Sequence, residues 1–137
     1  MIIAIDGPSA SGKSTTAKGV AGRLGFMHLD TGAMYRTVTL RIIEYGIDIN
    51  DIERICKFLE DLEINFDSLN DIWENGHNVT EKIRTTEVSS NVSAVSAIPK
   101  VREKMVEIQR IIAKDIDCVL EGRDIGTVVF PNADYKF

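Results

Sequence analysis

The sequence predicts an α/β domain in which helices flank a parallel sheet. Two observations carry this prediction. Short apolar runs alternate with amphipathic segments of helical length, and the connections between them are short. In addition, the motif GPSASGKS, residues 7–14, separates the first apolar run from the first amphipathic segment. A strand, a glycine-containing loop and a helix in this order are typical of P-loop NTPases.

The first part of the chain predicts a β-α-β-α order. Residues 2–5 form a continuous apolar run, which is typical of a buried strand. A helix is predicted to begin near Lys13 and to end at Gly25, a residue type common just after helices. Its buried stripe is predicted from the apolar residues at helical spacing, Ala17, Val20, Ala21 and Leu24. A strand over 26–30 and a helix over 34–45 follow.

The middle of the chain predicts a helix and a small antiparallel insertion. Asn50 and Glu53 resemble a capping box. The helix that they begin has one apolar face, formed by Ile52, Ile55, Cys56, Leu59 and Leu62. Strand-like segments over 63–66 and 71–79 come next, and the Asn75-Gly76 pair favours a tight hairpin turn.

The last part predicts two helices and the third strand of the parallel sheet. A short helix over 87–96 precedes a longer one over 99–114, which has proline in its first turn. The buried stripe of the longer helix is predicted from its regularly spaced apolar residues, Val101, Met105, Ile108 and Ile112. Residues 118–120 are an apolar run that stops at Glu121-Gly122, which is typical of a buried strand.

Composition bounds the function. The 137 residues carry a net charge of -5, which argues against general affinity for the nucleic-acid backbone. The two cysteines, Cys56 and Cys118, fit neither a metal knuckle nor a disulfide framework and are predicted to be reduced core residues. MIIAIDG lacks the basic region of a signal peptide, and no stretch approaches the ~20 apolar residues of a membrane span. We therefore expect a cytoplasmic protein without a membrane or nucleic-acid partner.

The P-loop motif predicts a nucleotide triphosphate site. In this geometry the N–H groups of the loop and of the first helical turn converge on an anion. Lys13 is expected to pair with the β- and γ-phosphates, and the Ser14 hydroxyl to bind Mg²⁺. The predicted nucleotide-binding residues are those of the motif and its next neighbour, Gly7, Pro8, Ser9, Ala10, Ser11, Gly12, Lys13, Ser14 and Thr15.

Three arginines suggest a second phosphate site. Arg36 and Arg123 follow predicted strands, and Arg102 lies early in a helix. Ligands of open α/β sheets bind at the carboxyl ends of strands, where an arginine fork suits a phosphate dianion. The alternatives are a solvated helix residue for Arg36 and a structural ion pair of Arg123 with Asp124. The two arginines beside a P-loop favour a kinase whose acceptor already carries a phosphate.

Four segments resemble the bacterial cytidylate kinase family: GPSASGKS, DTGAMYR, IRTTEVSSNVSAVSAIPKVRE and LEGRDIGTVVFPNA. They follow the family order from residue 7 to residue 133. The resemblance implies transfer of the γ-phosphoryl of ATP to CMP or dCMP with Mg²⁺, as part of pyrimidine nucleotide metabolism, by a monomeric enzyme. It also implies a single domain over 1–137 that contains a monophosphate-binding insert over about 64–84.

The resemblance assigns roles to individual residues. It implies that Lys13, Arg36 and Arg123 are catalytic, through neutralisation of phosphate charge. The CMP-binding residues that it implies are Thr31, Arg36, Ser93, Arg102, Arg123 and Asp124. Cytosine chemistry agrees, because Asp124 can accept from the amino group and Arg102 can donate to the acceptor edge of the ring.

Other polar residues carry weaker expectations. His28 and His77 are predicted to be structural or solvated, and Trp73 to be a local packing anchor. Arg84 fits either a monophosphate pocket or an ion pair with a neighbouring glutamate.

The resemblance also implies a strand that starts near Tyr135 and further elements beyond Phe137: the rest of that strand, an arginine-rich lid helix pair, a last strand and a terminal helix. Three alternatives follow. The protein is a cytidylate kinase, the chain as given is a nucleotide-binding fragment with little kinase activity, or the acceptor is another small molecule such as UMP.

Overall fold

A computed structural model describes residues 1–8 and 12–137. The strands of this described part are β1 (Ile2–Asp6), β2 (Met27–Asp30), β3 (Ile64–Phe66), β4 (Ile72–Glu74), β5 (His77–Asn78), β6 (Cys118–Gly122) and β7 (Tyr135–Lys136). Its α-helices are α1 (Lys13–Leu24), α2 (Thr31–Glu44), α3 (Ile52–Glu60), α4 (Thr86–Ser96) and α5 (Pro99–Ala113). A 3-10 turn (Lys82–Arg84) and a π-helical turn (Ile125–Val129) complete the elements, and together they confirm the predicted α/β class.

The chain divides into two compact units. The sheet unit comprises Met1–Gly32 and Gln109–Phe137, and the helical unit comprises Ala33–Ile108. The single domain over 1–137 with an insert over 64–84 stays a prediction.

The parallel sheet lies in the sheet unit. Within the described residues its strand order is β2-β6-β1-β7, with every pairing parallel. All of β6 is buried between β1 and β2, which explains why a continuous apolar run begins it. Asp6 pairs with Gly122 and Asp30 with Glu121, so the carboxyl ends of three strands meet at one edge. Glu121 and Gly122 belong to this strand, which therefore extends beyond its predicted end at residue 120.

Helix α1 packs small residues against the sheet. Ala17 and Ala21 lie in a buried cluster with Ile3, Ile5 and Val119. As predicted, the helix ends at Gly25, whose φ of 69° is left-handed and whose N–H donates to the Ala21 carbonyl. The prediction for Leu24 is wrong. It is 51% exposed because it is the last helical residue, and Phe26 packs against the cluster instead.

Helix α2 begins at Thr31, earlier than the predicted residue 34. The hydroxyl of Thr31 donates to the Glu121 carbonyl over 2.7 Å. This bond ties the first helical residue to the end of β6. Because β2 ends at Asp30 and α2 begins at Thr31, no loop separates the two elements.

Helix α3 is capped by Asp51. The capping-box pattern predicted Asn50 at this position, so that prediction is wrong. The Asp51 carboxylate accepts from the Arg54 N–H over 3.1 Å, while the N–H of Asn50 donates to Asp48 in a preceding turn. Because the helix begins at Ile52, this residue lies ahead of the buried stripe and is 45% exposed. The buried members of the predicted face are Ile55, Leu59 and Leu62.

The buried stripe of α5 also differs from prediction in one position. Val101, Met105 and Ile108 are buried as expected, but Ile112 is only partly buried. Gln109 and Ala113 are buried instead, because the stripe continues from Met105 at steps of four residues.

A small antiparallel sheet, in the order β3-β4-β5, confirms the predicted hairpin in the helical unit. Asn75 and Gly76 have φ values of 45° and 82°, as the predicted tight turn requires. The half-buried Trp73 donates from Nε1 to Asp67 over 2.8 Å. This hydrogen bond is the main reason that the pKa of Asp67 lies below its ordinary value.

A buried ion pair joins α2 to the hairpin. Glu74 is 5% exposed, and its Oε1 accepts from Arg41 Nε over 2.9 Å and lies 2.7 Å from Arg41 Nη2. Arg41 also contacts Glu44. Removal of Arg41 would leave the buried charge of Glu74 without this compensation. The pair therefore links β4 to α2.

No helix among residues 1–8 and 12–137 combines the length and the apolar character that a membrane crossing needs.

The two cysteines are free thiols in different surroundings. Cys118 is fully buried in β6, as predicted, whereas Cys56 is only half-buried, so its predicted place in the core is wrong. Cys56 lies beside the stripe of α3 that Ile55 and Leu59 form, so its side chain keeps contact with solvent.

The thiols should react with 5,5′-dithiobis(2-nitrobenzoate) at different rates. Burial raises the pKa of Cys118 to about 11, so this thiol is almost entirely protonated at pH 8. Burial also shields its sulfur atom from the reagent. We expect native protein to react at Cys56 and Cys118 to react only after unfolding. The absorbance at 412 nm reports the reaction. Fast labelling of a Cys56→Ser variant under native conditions would contradict this expectation.

Candidate phosphate-binding site

The P-loop joins β1 to α1 in the sheet unit. β1 ends at Asp6 and α1 begins at Lys13, as the motif predicted. Gly12 caps the helix with a φ of 84°, a left-handed conformation that strongly favours glycine. The predicted positions Ser9, Ala10 and Ser11 lie outside the described residues. The first N–H groups of an α-helix have no partners within the helix and can bind an anion.

Lys13 is half-buried at this helix terminus. Its ammonium donates to the Pro8 carbonyl over 3.4 Å, which is long for a hydrogen bond. An ammonium has three protons, so Lys13 keeps donors for a phosphate. Gly7 donates its N–H to the Gly122 carbonyl over 3.2 Å, which anchors the start of the loop to β6.

A buried carboxylate lies beside the P-loop. Glu121 is 2% exposed, and its Oε1 lies 3.0 Å from Nε2 of the equally buried His28. Burial raises the pKa of Glu121, but the His28 hydrogen bond and charge, the Ser14 hydroxyl and the Lys13 ammonium outweigh it. The pKa therefore lies below its ordinary value. Glu121 is thus an anion next to the residues that the motif assigns to phosphate and metal.

The second oxygen of Glu121 is available to a ligand. Oε2 is buried, and within the described part of the chain it has no hydrogen-bond partner. A buried oxygen without a partner is costly unless a ligand or water completes it. Carboxylate and hydroxyl oxygens are the ligands that Mg²⁺ prefers. Ser14 and Glu121 together therefore fit a magnesium ion.

Thr31 is packed tightly against the end of β6. Its side chain is 3% exposed, and its hydroxyl proton is used in the bond to the Glu121 carbonyl. A Cβ atom added to Gly122 would overlap this hydroxyl. Thr31 can therefore donate to a phosphate only by exchanging its present acceptor.

Asp6 anchors the segment that contains Arg123 and Asp124. Its two carboxylate oxygens accept the N–H groups of Ile125 and Gly126 over 2.7 and 2.9 Å. The π-helical turn that begins at Ile125 is thereby attached to the end of β1, next to the P-loop.

Arg123 and Asp124 are both exposed, which excludes a buried ion pair between them. Asp124 has a φ of 59°, a left-handed conformation that aspartate tolerates better than most residues. Its backbone therefore turns sharply between β6 and the π-helical turn.

The remaining predicted residues lie in the helical unit. Arg36 is half-buried, and its Nη1 donates to the Ile83 carbonyl over 3.2 Å and to the Ser89 hydroxyl over 2.9 Å. It is therefore not a solvated helix residue. Ser93 on α4 and Arg102 on α5 are exposed. The structure brings Thr31, Arg123 and Asp124 together in the sheet unit, whereas Arg36, Ser93 and Arg102 belong to the other unit.

Sequence reasoning missed Asp6, His28 and Glu121 as parts of the site. A signal was present for the two acids, since each follows an apolar run at a predicted strand end. For His28 the sequence offered none, because its partner is distant in the chain and becomes a neighbour only through the pairing of β2 with β6.

Gly122→Ala should destabilise the sheet unit by about 1–3 kcal/mol, as is typical of overpacking. The added methyl group overlaps Thr31, whose β-branched side chain has little rotamer freedom. Gly19→Ala in α1 is the matched control. It meets no atom within 4 Å and should stabilise the protein by roughly 0.5–1 kcal/mol. Urea denaturation measures both effects, and equal stability of the two variants would contradict the packing argument.

Asp6→Asn should release the turn that follows Asp124. The carboxamide has one acceptor oxygen, so its NH₂ group would face one of the two backbone donors, at a cost of about 1–3 kcal/mol. Hydrogen exchange should become faster at the amides of Ile125 and Gly126. The exposed Asp115→Asn should change neither exchange nor stability by more than about 0.5 kcal/mol. Unchanged exchange at both amides in Asp6→Asn would show that Asp6 does not anchor the turn.

Comparisons with known proteins identify related sequences. The sequence model of the family described as cytidylate kinase matches residues 3–137. A protein named Cytidylate kinase from Clostridioides difficile (strain 630) is 48% identical over 137 residues, which are 100% of this chain and 63% of that protein. Proteins of the same name from Limosilactobacillus fermentum and Solibacter usitatus are 48% and 49% identical, over 98% and 99% of this chain and 60% and 58% of their own lengths.

The chain spans about three fifths of the length of these curated relatives. The match to the family model covers nearly all residues of the chain, including the P-loop, β6 and the segment of Arg123 and Asp124. The chain belongs to the cytidylate kinase family.

Proposed function

We propose that the protein transfers the γ-phosphoryl group of ATP to CMP or dCMP. The observation that carries the proposal is the start of α1 at Lys13, directly after the left-handed Gly12, beside the buried anion Glu121. Family membership supplies the acceptor, because the relatives are named cytidylate kinases. The net charge of -5 is compatible with anionic substrates, since a few cations in a cleft can dominate the local field.

The triphosphate is proposed to bind at the N-terminus of α1. The first-turn N–H groups and the Lys13 ammonium meet the phosphate oxygens, and Ser14 and Thr15 follow in the same turn. Ser14 and the free oxygen of Glu121 would hold Mg²⁺. When bound, Mg²⁺ neutralises charge on the phosphoryl oxygens.

The monophosphate is proposed to bind to Arg36 and Arg123. Each guanidinium has five N–H donors, so Arg36 can keep its bonds to Ile83 and Ser89 and still meet a phosphate. We propose that cytosine is recognised by Ser93, Arg102 and Asp124. Thr31 would donate its hydroxyl proton to the phosphate in place of the Glu121 carbonyl. No protein nucleophile is needed, because the acceptor oxygen belongs to CMP. Catalysis then depends on alignment and on neutralisation of charge.

We also propose that the protein is a monomer and that it is located in the cytoplasm.

A coupled assay of ADP formation with CMP, dCMP, UMP, AMP and GMP tests the acceptor. We expect CMP and dCMP to have the highest kcat/KM, because uracil reverses the donor and acceptor positions that cytosine presents to Asp124 and Arg102.

Asp124→Gly should lower kcat/KM for CMP about 5- to 150-fold, which corresponds to about 1–3 kcal/mol. Glycine is preferable to alanine here because the backbone is left-handed.

Asp115→Gly, on an exposed residue outside the proposed site, is the control. The KM for ATP should stay within about threefold in the Asp124 variant, which corresponds to about 0.7 kcal/mol. A preference for UMP, or equal losses for CMP and ATP, would contradict the base-reading role. Binding of ATP and CMP without turnover would contradict kinase activity of this chain.

A further inference from the structure

His28 and Glu121 form a buried polar pair inside the sheet unit. Their side chains are 2% and 3% exposed, and Nε2 of His28 lies 3.0 Å from Oε1 of Glu121. They are brought together because β2 pairs with β6 in parallel register, with Asp30 beside Glu121.

The direction of the hydrogen bond follows from the charge of Glu121. An ionised glutamate carboxylate only accepts hydrogen bonds, whereas a neutral imidazole donates from one of its ring nitrogens. Nε2 of His28 therefore has the proton and donates it to Oε1. One donor directed to one oxygen restricts rotation of the carboxylate about its last torsion.

The other oxygen, Oε2, is the one without a hydrogen-bond partner in the described residues. The Ser14 hydroxyl and the Lys13 ammonium are close enough to affect the carboxyl group. Partners of this kind, one step removed from a metal, orient the ligand, and their loss typically lowers metal affinity 10- to 100-fold.

We propose that His28 is a positioning residue that holds Oε1 of Glu121 and so keeps Oε2 available to the magnesium ion of bound MgATP. The inference rests on the proposed function for the presence of MgATP. The sequence predicted only a structural or solvated role for His28.

The test measures how strongly Mg²⁺ tightens the binding of a non-hydrolysable ATP analogue. Isothermal titration calorimetry gives the Kd with excess EDTA and with saturating Mg²⁺, and the ratio of the two is the readout. In His28→Leu, which removes the donor, this ratio should fall about tenfold. The Kd in EDTA should stay within about threefold of the original value, because the contacts of Lys13 and of the first turn of α1 do not involve His28.

Three further variants separate positioning from folding. His28→Gln retains an N–H donor of similar reach and should restore most of the ratio, whereas the shorter His28→Asn should not. In a Glu121→Gln background, His28→Leu should change the ratio little, because the two residues act together. His77→Leu replaces the exposed histidine of the hairpin and should leave the ratio unchanged.

The outcomes distinguish the inference from the proposed function. If His28→Leu and His28→Asn lower the melting temperature but leave the Mg²⁺ ratio intact, His28 is only structural and the inference is overturned. The same holds if His28→Gln behaves like His28→Leu. If the unaltered protein binds the analogue without any gain from Mg²⁺, or does not bind it, the proposed function fails and the inference fails with it.

Discussion

The burial of β6 between β1 and β2 is the constraint on which the candidate site depends. Because the three strands are parallel and in register, their carboxyl ends meet at one edge, and Asp6, Asp30 and Gly122 become neighbours there. Thr31 then fits only because Gly122 has no side chain. Asp6 in turn anchors the turn after Asp124, so the P-loop and the segment of Arg123 share one support.

The electrostatics of the site are local rather than global. The chain is acidic overall, yet the N-terminus of α1 carries the positive end of the helix dipole together with a lysine and a hydroxyl residue, Lys13 and Ser14. Glu121 lies beside these groups as a buried anion, stabilised by His28. A site that contains both an anion-binding helix terminus and a carboxylate suits a phosphate that arrives with a cation, because each charge then has a partner.

The helical unit has its own buried ion pair. Arg41 on α2 and Glu74 on β4 are both shielded from solvent, and the Asn75-Gly76 turn follows Glu74 directly. Arg36 lies on the same helix as Arg41 and is fixed by Ile83 and Ser89. An arginine held in this way would lose less conformational freedom on binding a ligand than a solvated one, which is the general advantage of preorganisation.

The sequence by itself determined the order of elements, the P-loop, the ends of α1 and the hairpin turn, because these depend on local chemistry such as glycine in left-handed positions. It misplaced the start of α2 and the cap of α3, and it could not foresee the partners of Asp6, Thr31 and His28. Each of these partners is distant in the chain: Thr31 and His28 meet Glu121, and Asp6 meets Ile125. Such contacts exist only once parallel pairing has chosen a register, and that choice is made by the burial of whole strands rather than by any local pattern.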